Sequence, residues 1–98
     1  MTWSFTKENL YREAPLSRGV YLLFDGNNLI YIGRAAGNGV SIYSRLVSHL
    51  NGHESRCTQM ATHFSFEETD YPYTREEELL LAYRQRFGRL PRCNERIG

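Results

Sequence analysis

The chain has 98 residues, 41% of them hydrophobic and 23% charged, with a formal net charge of +1. That length leaves room for one modest core and no separate substrate domain, and the composition is that of a folded rather than a disordered chain. No stretch approaches the roughly 20 apolar residues of a membrane span, and Met1 to Glu8 lacks the apolar run of an export signal. A cytoplasmic protein folding as a single domain over 1–98 is therefore expected. With no export signal, Cys57 and Cys93 are expected as reduced, half-buried thiols.

In chain order, Thr6 to Glu13 suits a short helix ended by Pro15. Gly19 to Phe24 is β-branched and aromatic, and Leu29 to Gly33 is its antiparallel return strand. Between them Asp25-Gly26-Asn27-Asn28 is a hairpin turn, because Gly and Asn tolerate the positive φ such turns need. Arg34 to Val40 reads as a glycine-containing loop, with Gly37-Asn38-Gly39 too short and lysine-free to be a phosphate-binding loop. Ser41 can cap a helix to about Leu50, closed by Asn51-Gly52, whose apolar stripe is Ile42, Leu46 and Leu50. Met60 to Glu67 fits a third strand with Phe64 and Phe66 in alternation. Thr74 can cap a last helix to about Phe87, with Leu79, Leu80, Tyr83 and Phe87 inward and Gly88 at its end. The expected class is α+β, a small three-stranded antiparallel sheet flanked by helices.

Charge is unevenly spread. From Tyr83 onward Arg84, Arg86, Arg89, Arg92 and Arg96 face one acid, Glu95, whereas between Glu67 and Glu78 six acids face Arg75. Such a pattern suits a phosphate-gripping edge beside a metal site, or simply two solvated faces.

Three groups fit a purely structural account poorly. Glu76 continues the Leu79-Leu80-Tyr83 stripe by one turn, and a carboxylate facing a packed surface is costly unless paired or metal-bound. The alternative is an acid in the first turn that complements the helix dipole and stays wet. Arg45 and His49, four apart, offer a phosphate-gripping guanidinium beside a proton-carrying imidazole, or merely two exposed cations. Tyr21 and Tyr31 lie across the hairpin from one another and can aim phenols at one point, although strand tyrosines more often only pack. His49, His53 and Cys57, spaced by four with His63 further on, form a weak zinc signature that Gly52 interrupts.

Together these residues resemble the GIY-YIG nuclease family. Gly19-Val20-Tyr21 is similar to the first signature triplet, with Val for Ile, and Tyr31-Ile32-Gly33 matches the second across nine residues. Ser41 to His49 resembles the arginine helix, with Arg45 at the arginine position. Arg34 follows the second triplet where lysine is common, Glu76-x-x-Leu79-Leu80-x-x-Tyr83 is similar to the metal-binding glutamate motif, and Pro91-x-x-Asn94 to the closing motif. The resemblance runs from about residue 18 to residue 94 and implies a small stand-alone member.

The family implies a divalent-metal-dependent endonuclease that hydrolyses phosphodiester bonds of DNA, with one Mg²⁺ or Mn²⁺ on Glu76. Arg45 would neutralise the phosphate. Tyr21, its phenol pKa lowered by nearby cations, would activate water, with His49 the runner-up for that proton transfer. Tyr31, Arg34 and Arg92 would position the phosphate, and Asn94 would hold the glutamate region or the substrate backbone. Single-stranded or branched DNA suits the aromatics, with RNA an alternative, and a monomer or weak homodimer is expected. The competing readings are a catalytically silent nucleic-acid-binding module on the same scaffold, and a protein-interaction domain.

Overall fold

The computed structural model describes residues 1–94. Strand β1 (Trp3–Ser4) leads into α1 (Lys7–Glu13), then the hairpin β2 (Gly19–Asp25) and β3 (Asn28–Ala35). Helices α2 (Ile42–Leu50) and α3 (Arg56–Gln59), strand β4 (His63–Glu68), helix α4 (Pro72–Phe87) and a 3₁₀ turn at Arg92–Asn94 complete the order. The sheet is antiparallel throughout, in the order β1-β4-β2-β3, so β3 is an edge strand. It has four strands rather than the expected three. The extra one, β1, is two residues long and exists only through its pairing with His63 and Phe64.

Local chemistry explains most boundaries. Thr6 Oγ1 accepts from the Asn9 N–H to start α1, and Ser41 and Ser44 exchange side-chain-to-backbone bonds as a capping box at the start of α2. The last helix departs from expectation. It starts at Pro72, whose preset φ suits the first helical position, and not at a Thr74 cap. Its stripe also stops short, for Phe87 is 49% exposed. Strand β4 begins at His63 because Ser55 caps α3 and Met60 ends it.

Val20 and Ile32 are buried, as are Tyr21 and Leu23 on alternate positions, so the hairpin is covered on both faces, by α2 and by α4. Phe5, Leu10, Leu23, Ile42, Leu46 and Phe64 form the heart of the core. In α2 the fully buried positions are Ile42, Leu46 and His49, not Ile42, Leu46 and Leu50. The inward face thus ends on an imidazole.

The cysteines are not free thiols. Cys57 in α3 and Cys93 in the 3₁₀ turn are joined as a disulfide, with Cα atoms 5.7 Å apart. They stand 36 residues apart in sequence, and only the fold brings them within bridging distance. The bridge and the hydrogen bonds of His49 remove two ligands of the zinc alternative. No cluster of three His, Cys, Asp or Glu residues forms among the described residues. No described helix is long and apolar enough to cross a membrane.

Candidate active site

Because β3 is an edge strand, α2 and α4 approach it from opposite faces and leave a cleft of about 360 Å³ between them. Tyr31 and Arg34 of β3, Arg45 of α2, and Tyr73 and Glu76 of α4 line it. Tyr21 lies one layer behind. In the hairpin register Tyr21 faces Gly33 and Leu23 faces Tyr31, so the two tyrosines are diagonal neighbours on one face, with ring centroids 6.1 Å apart. Both rings converge on His49, at 5.4 and 5.0 Å.

The polar groups of this layer form a closed relay. Tyr21 Oη lies 2.8 Å from His49 Nε2, and His49 Nδ1 lies 2.8 Å from Thr58 Oγ1. The Thr58 hydroxyl donates to the Ser55 carbonyl, so its oxygen accepts the Nδ1 proton and Nε2 accepts from the Tyr21 phenol. Burial drives both partners to their neutral forms. It pushes the Tyr21 phenol well above its ordinary pKa, reinforced by Tyr31 and opposed by the Arg45 guanidinium beside it. The expected lowering of this phenol by cations is therefore reversed, because Tyr21 has no exposed surface and desolvation outweighs Arg45. Burial likewise pushes His49 down to about 4. Tyr31, less enclosed, is also raised by burial against the pull of Arg45.

The charged groups at the mouth are paired. Arg34 Nη1 donates to Glu76 Oε1 at 2.6 Å, and its guanidinium stacks 4.3 Å from the Tyr73 ring centre. The Glu76 side chain is only 16% exposed, on the inward side of α4 together with Leu79 and Tyr83. Arg45 reaches Glu54 with both terminal nitrogens, at 2.9 and 3.4 Å. The Ser48 hydroxyl donates to the same carboxylate at 2.7 Å, and this bond together with Arg45 keeps Glu54 below the usual carboxylate range. Asn94 does something different from what its motif suggests. Its side-chain oxygen accepts from the Ile32 N–H at 2.8 Å and its amide donates to the Ile32 carbonyl at 3.0 Å. A side chain thus replaces the missing neighbour of the edge strand, between Tyr31 and Gly33, and holds neither Glu76 nor an open face for substrate. Arg92 stands apart from the cleft and pairs with Asp25 of the hairpin at 3.4 Å.

No protein-family profile matches the chain. UvrABC system protein C of Aquifex aeolicus (strain VF5) is 32% identical over 89 residues, a stretch covering 83% of this chain and 15% of that protein. The magnesium-bound GIY-YIG N-terminal endonuclease domain of UvrC from Thermotoga maritima superposes with a TM-score of 0.63 at 25% identity. That match covers 89% of this chain and 97% of that one. A point mutant of the same domain, bound to its catalytic divalent cation, gives 0.64 at 26% identity, over 93% and 100%. The chain belongs to the GIY-YIG family.

The packing gives the two GIY-YIG triplets a physical meaning. A Cβ at Gly33 would stand 2.6 Å from the Tyr21 hydroxyl, so the second glycine is the space into which the first tyrosine fits. A Cβ at Gly19 would strike the Glu67 carbonyl of β4 and, at 2.7 Å, the Ile42 side chain. Either glycine replaced by alanine would push α2 or Tyr21 away from the cleft.

Four contributing residues carry no sequence signal that could have found them. Glu54 meets Arg45 and Ser48 across the bend at Gly52, Thr58 sits in a four-residue helix, and Tyr73 lies just ahead of the expected helix start. Local periodicity is blind to all of them.

His49 makes a pH prediction. Between about pH 6.5 and 4 the unfolded chain binds a proton at this imidazole that the folded chain does not. Stability is therefore full above that window and falls as the pH falls through it, by up to about 3 kcal/mol at its lower end. Urea unfolding at pH 7 and pH 4.5 should show this loss in the wild type and a smaller one in His49→Gln; equal losses would reject it.

Proposed function

We propose that this domain is a divalent-metal-dependent endonuclease that hydrolyses phosphodiester bonds of DNA. The observation that carries the reading is the convergence of a guanidinium (Arg45), a phenol (Tyr31) and a carboxylate (Glu76) on one cleft, backed by the Tyr21–His49–Thr58 relay.

The residues suit a single hard cation. Glu76 Oε1 is engaged by Arg34, whereas Oε2 has no hydrogen-bond partner among the described residues. One carboxylate oxygen in an open cleft fits Mg²⁺ or Mn²⁺, which keep several waters and take phosphate oxygens as further ligands. When bound on Glu76, the ion would supply Lewis-acid polarisation of the phosphate and stabilise the leaving 3′ oxygen.

The remaining work falls to the chain itself. Arg45, anchored by Glu54 and set beside the phenols, supplies fixed positive charge for the phosphate in the transition state without reorganising. Arg34 shares Glu76 and the Tyr73 ring, so it is poised to exchange its carboxylate partner for a phosphate oxygen. Tyr31 holds the phosphate from the strand. The proton of the attacking water passes by way of Tyr31, the phenol that lines the cleft, to Tyr21 behind it, and His49 Nε2 takes that of the Tyr21 phenol. Both rest neutral, so the proton moves along the relay only as the nucleophile commits, and no standing phenolate forms. Asn94 positions Tyr31 by bracing the next residue of its strand.

The test is cleavage of labelled single-stranded, duplex and branched DNA with Mg²⁺, Mn²⁺ or EDTA, by wild type and Arg45→Ala. Cutting that needs the metal and falls about 10²–10³-fold in the variant is the expected result. Binding without cutting on every substrate would instead make this a silent nucleic-acid-binding module.

A further inference from the structure

A second groove, of about 480 Å³, lies between the C-terminal half of α4 and the β2–β3 turn. Tyr83 and Phe87 of α4, Asn27 and Asn28 of the turn, and Arg89 and Arg92 beyond the helix line it, and no acidic side chain does. The rings of Tyr83 and Phe87, one helical turn apart, sit 4.5 Å centre to centre, and the Arg86 guanidinium lies 5.4 Å from the centre of Phe87. Phe87 is 49% exposed although it continues the apolar stripe of its helix, so its packing does not account for it. Arg86 and Arg89 have no ion-pair partner among the described residues.

Shared residues lead from this groove toward the cleft by way of a hollow beside His49, which Glu54 also lines. Arg92 lines both the groove and the hollow beside His49, and Tyr31 lines both that hollow and the cleft. Leu29 at the groove and Arg34 at the cleft lie roughly 17 Å apart at a strand's rise, a span of a few nucleotides. Arg86 and Arg89, with no acidic partner among the described residues, beside the half-exposed ring of Phe87 complement a polyanion whose bases are unpaired. A duplex offers its phosphates but keeps its base faces stacked.

We infer that the Tyr83–Phe87–Arg89 groove is a binding track for single-stranded DNA, with an unpaired base stacked on Phe87 and the backbone leading past Arg92 toward the cleft. This rests on the nuclease reading and names its substrate form. The test is anisotropy of a fluorescent single strand of about 12 nucleotides, within the usual range of site sizes, measured in EDTA so that cleavage plays no part. Phe87→Ala should weaken single-strand binding at least about fivefold and Phe87→Trp should keep it, with circular dichroism confirming an unchanged fold. Arg89→Ala should lower the slope of log affinity against log salt by about 0.7. Single-strand affinity that ignores both variants, no affinity at all, or a preference for duplex of the same sequence overturns the track. Cutting by a protein whose strand affinity ignores Phe87 and Arg89 would discard the groove and keep the nuclease; binding through the groove without any cutting would do the reverse.

Discussion

Glu76→Gln is expected to lower Mg²⁺-dependent DNA cleavage by at least about 10³-fold while the fold survives. The substitution keeps the size and shape of the side chain and removes only its charge. The charge matters twice, since Glu76 is the carboxylate of the cleft and it also orients Arg34 through a 2.6 Å bond. A neutral amide is a weak ligand for a hard cation and cannot hold the guanidinium as an ion pair. The stability cost should be small, on the order of 1 kcal/mol, because the Arg34 side chain is 43% exposed and water replaces its partner. Single-turnover cleavage and urea unfolding on the same preparation separate the two effects. Activity within tenfold of wild type would remove Glu76 from the reaction.

Reduction of the Cys57–Cys93 bridge is expected to cost roughly 3–4 kcal/mol, which for a domain of this size lowers the melting midpoint by on the order of 20 °C. The estimate follows from the length of chain that the bridge closes, 36 residues. A large share of a small domain's total stability is involved. The position of the bridge adds a local consequence. Cys57 precedes Thr58, which orients His49, and Cys93 precedes Asn94, which braces Ile32. Loosening the bridge frees both supports of the relay, so cleavage should fall at temperatures where the reduced protein is still folded. A dithiol reductant should reproduce the melting curve and the activity of the Cys57→Ser/Cys93→Ser protein. An unchanged midpoint with and without reductant would contradict the predicted stabilisation.

What could be read from the residues alone was local in origin. The cap at Ser41 and the turn at Gly26 are decided by neighbours within a few positions, and each lies where the pattern puts it. Gly88, in the left-handed conformation, likewise ends α4 where expected. Glu76 was visible because a helix period places it on the same face as Leu79 and Tyr83. The spacing of the two triplets sufficed to set Tyr21 and Tyr31 across one hairpin. The GIY-YIG resemblance drew these pieces together in the right order.

Tertiary structure decided whatever depends on contacts distant in the chain. Strand β1 is too short to show a period and forms only against β4. The disulfide needs α3 and the C-terminal turn to meet, and the double bond from Asn94 to Ile32 needs a free strand edge that no local pattern reveals. The direction of the Tyr21 shift is the sharpest case. Sequence places a cation near the phenol, but the degree of burial, and with it the balance between desolvation and charge, is set by Tyr21 seating against Gly33 with His49 of α2 upon it. Hydrogen bonds within a turn and the period of a helix are written into consecutive residues, whereas desolvation and long-range pairing arise only once the chain has packed on itself.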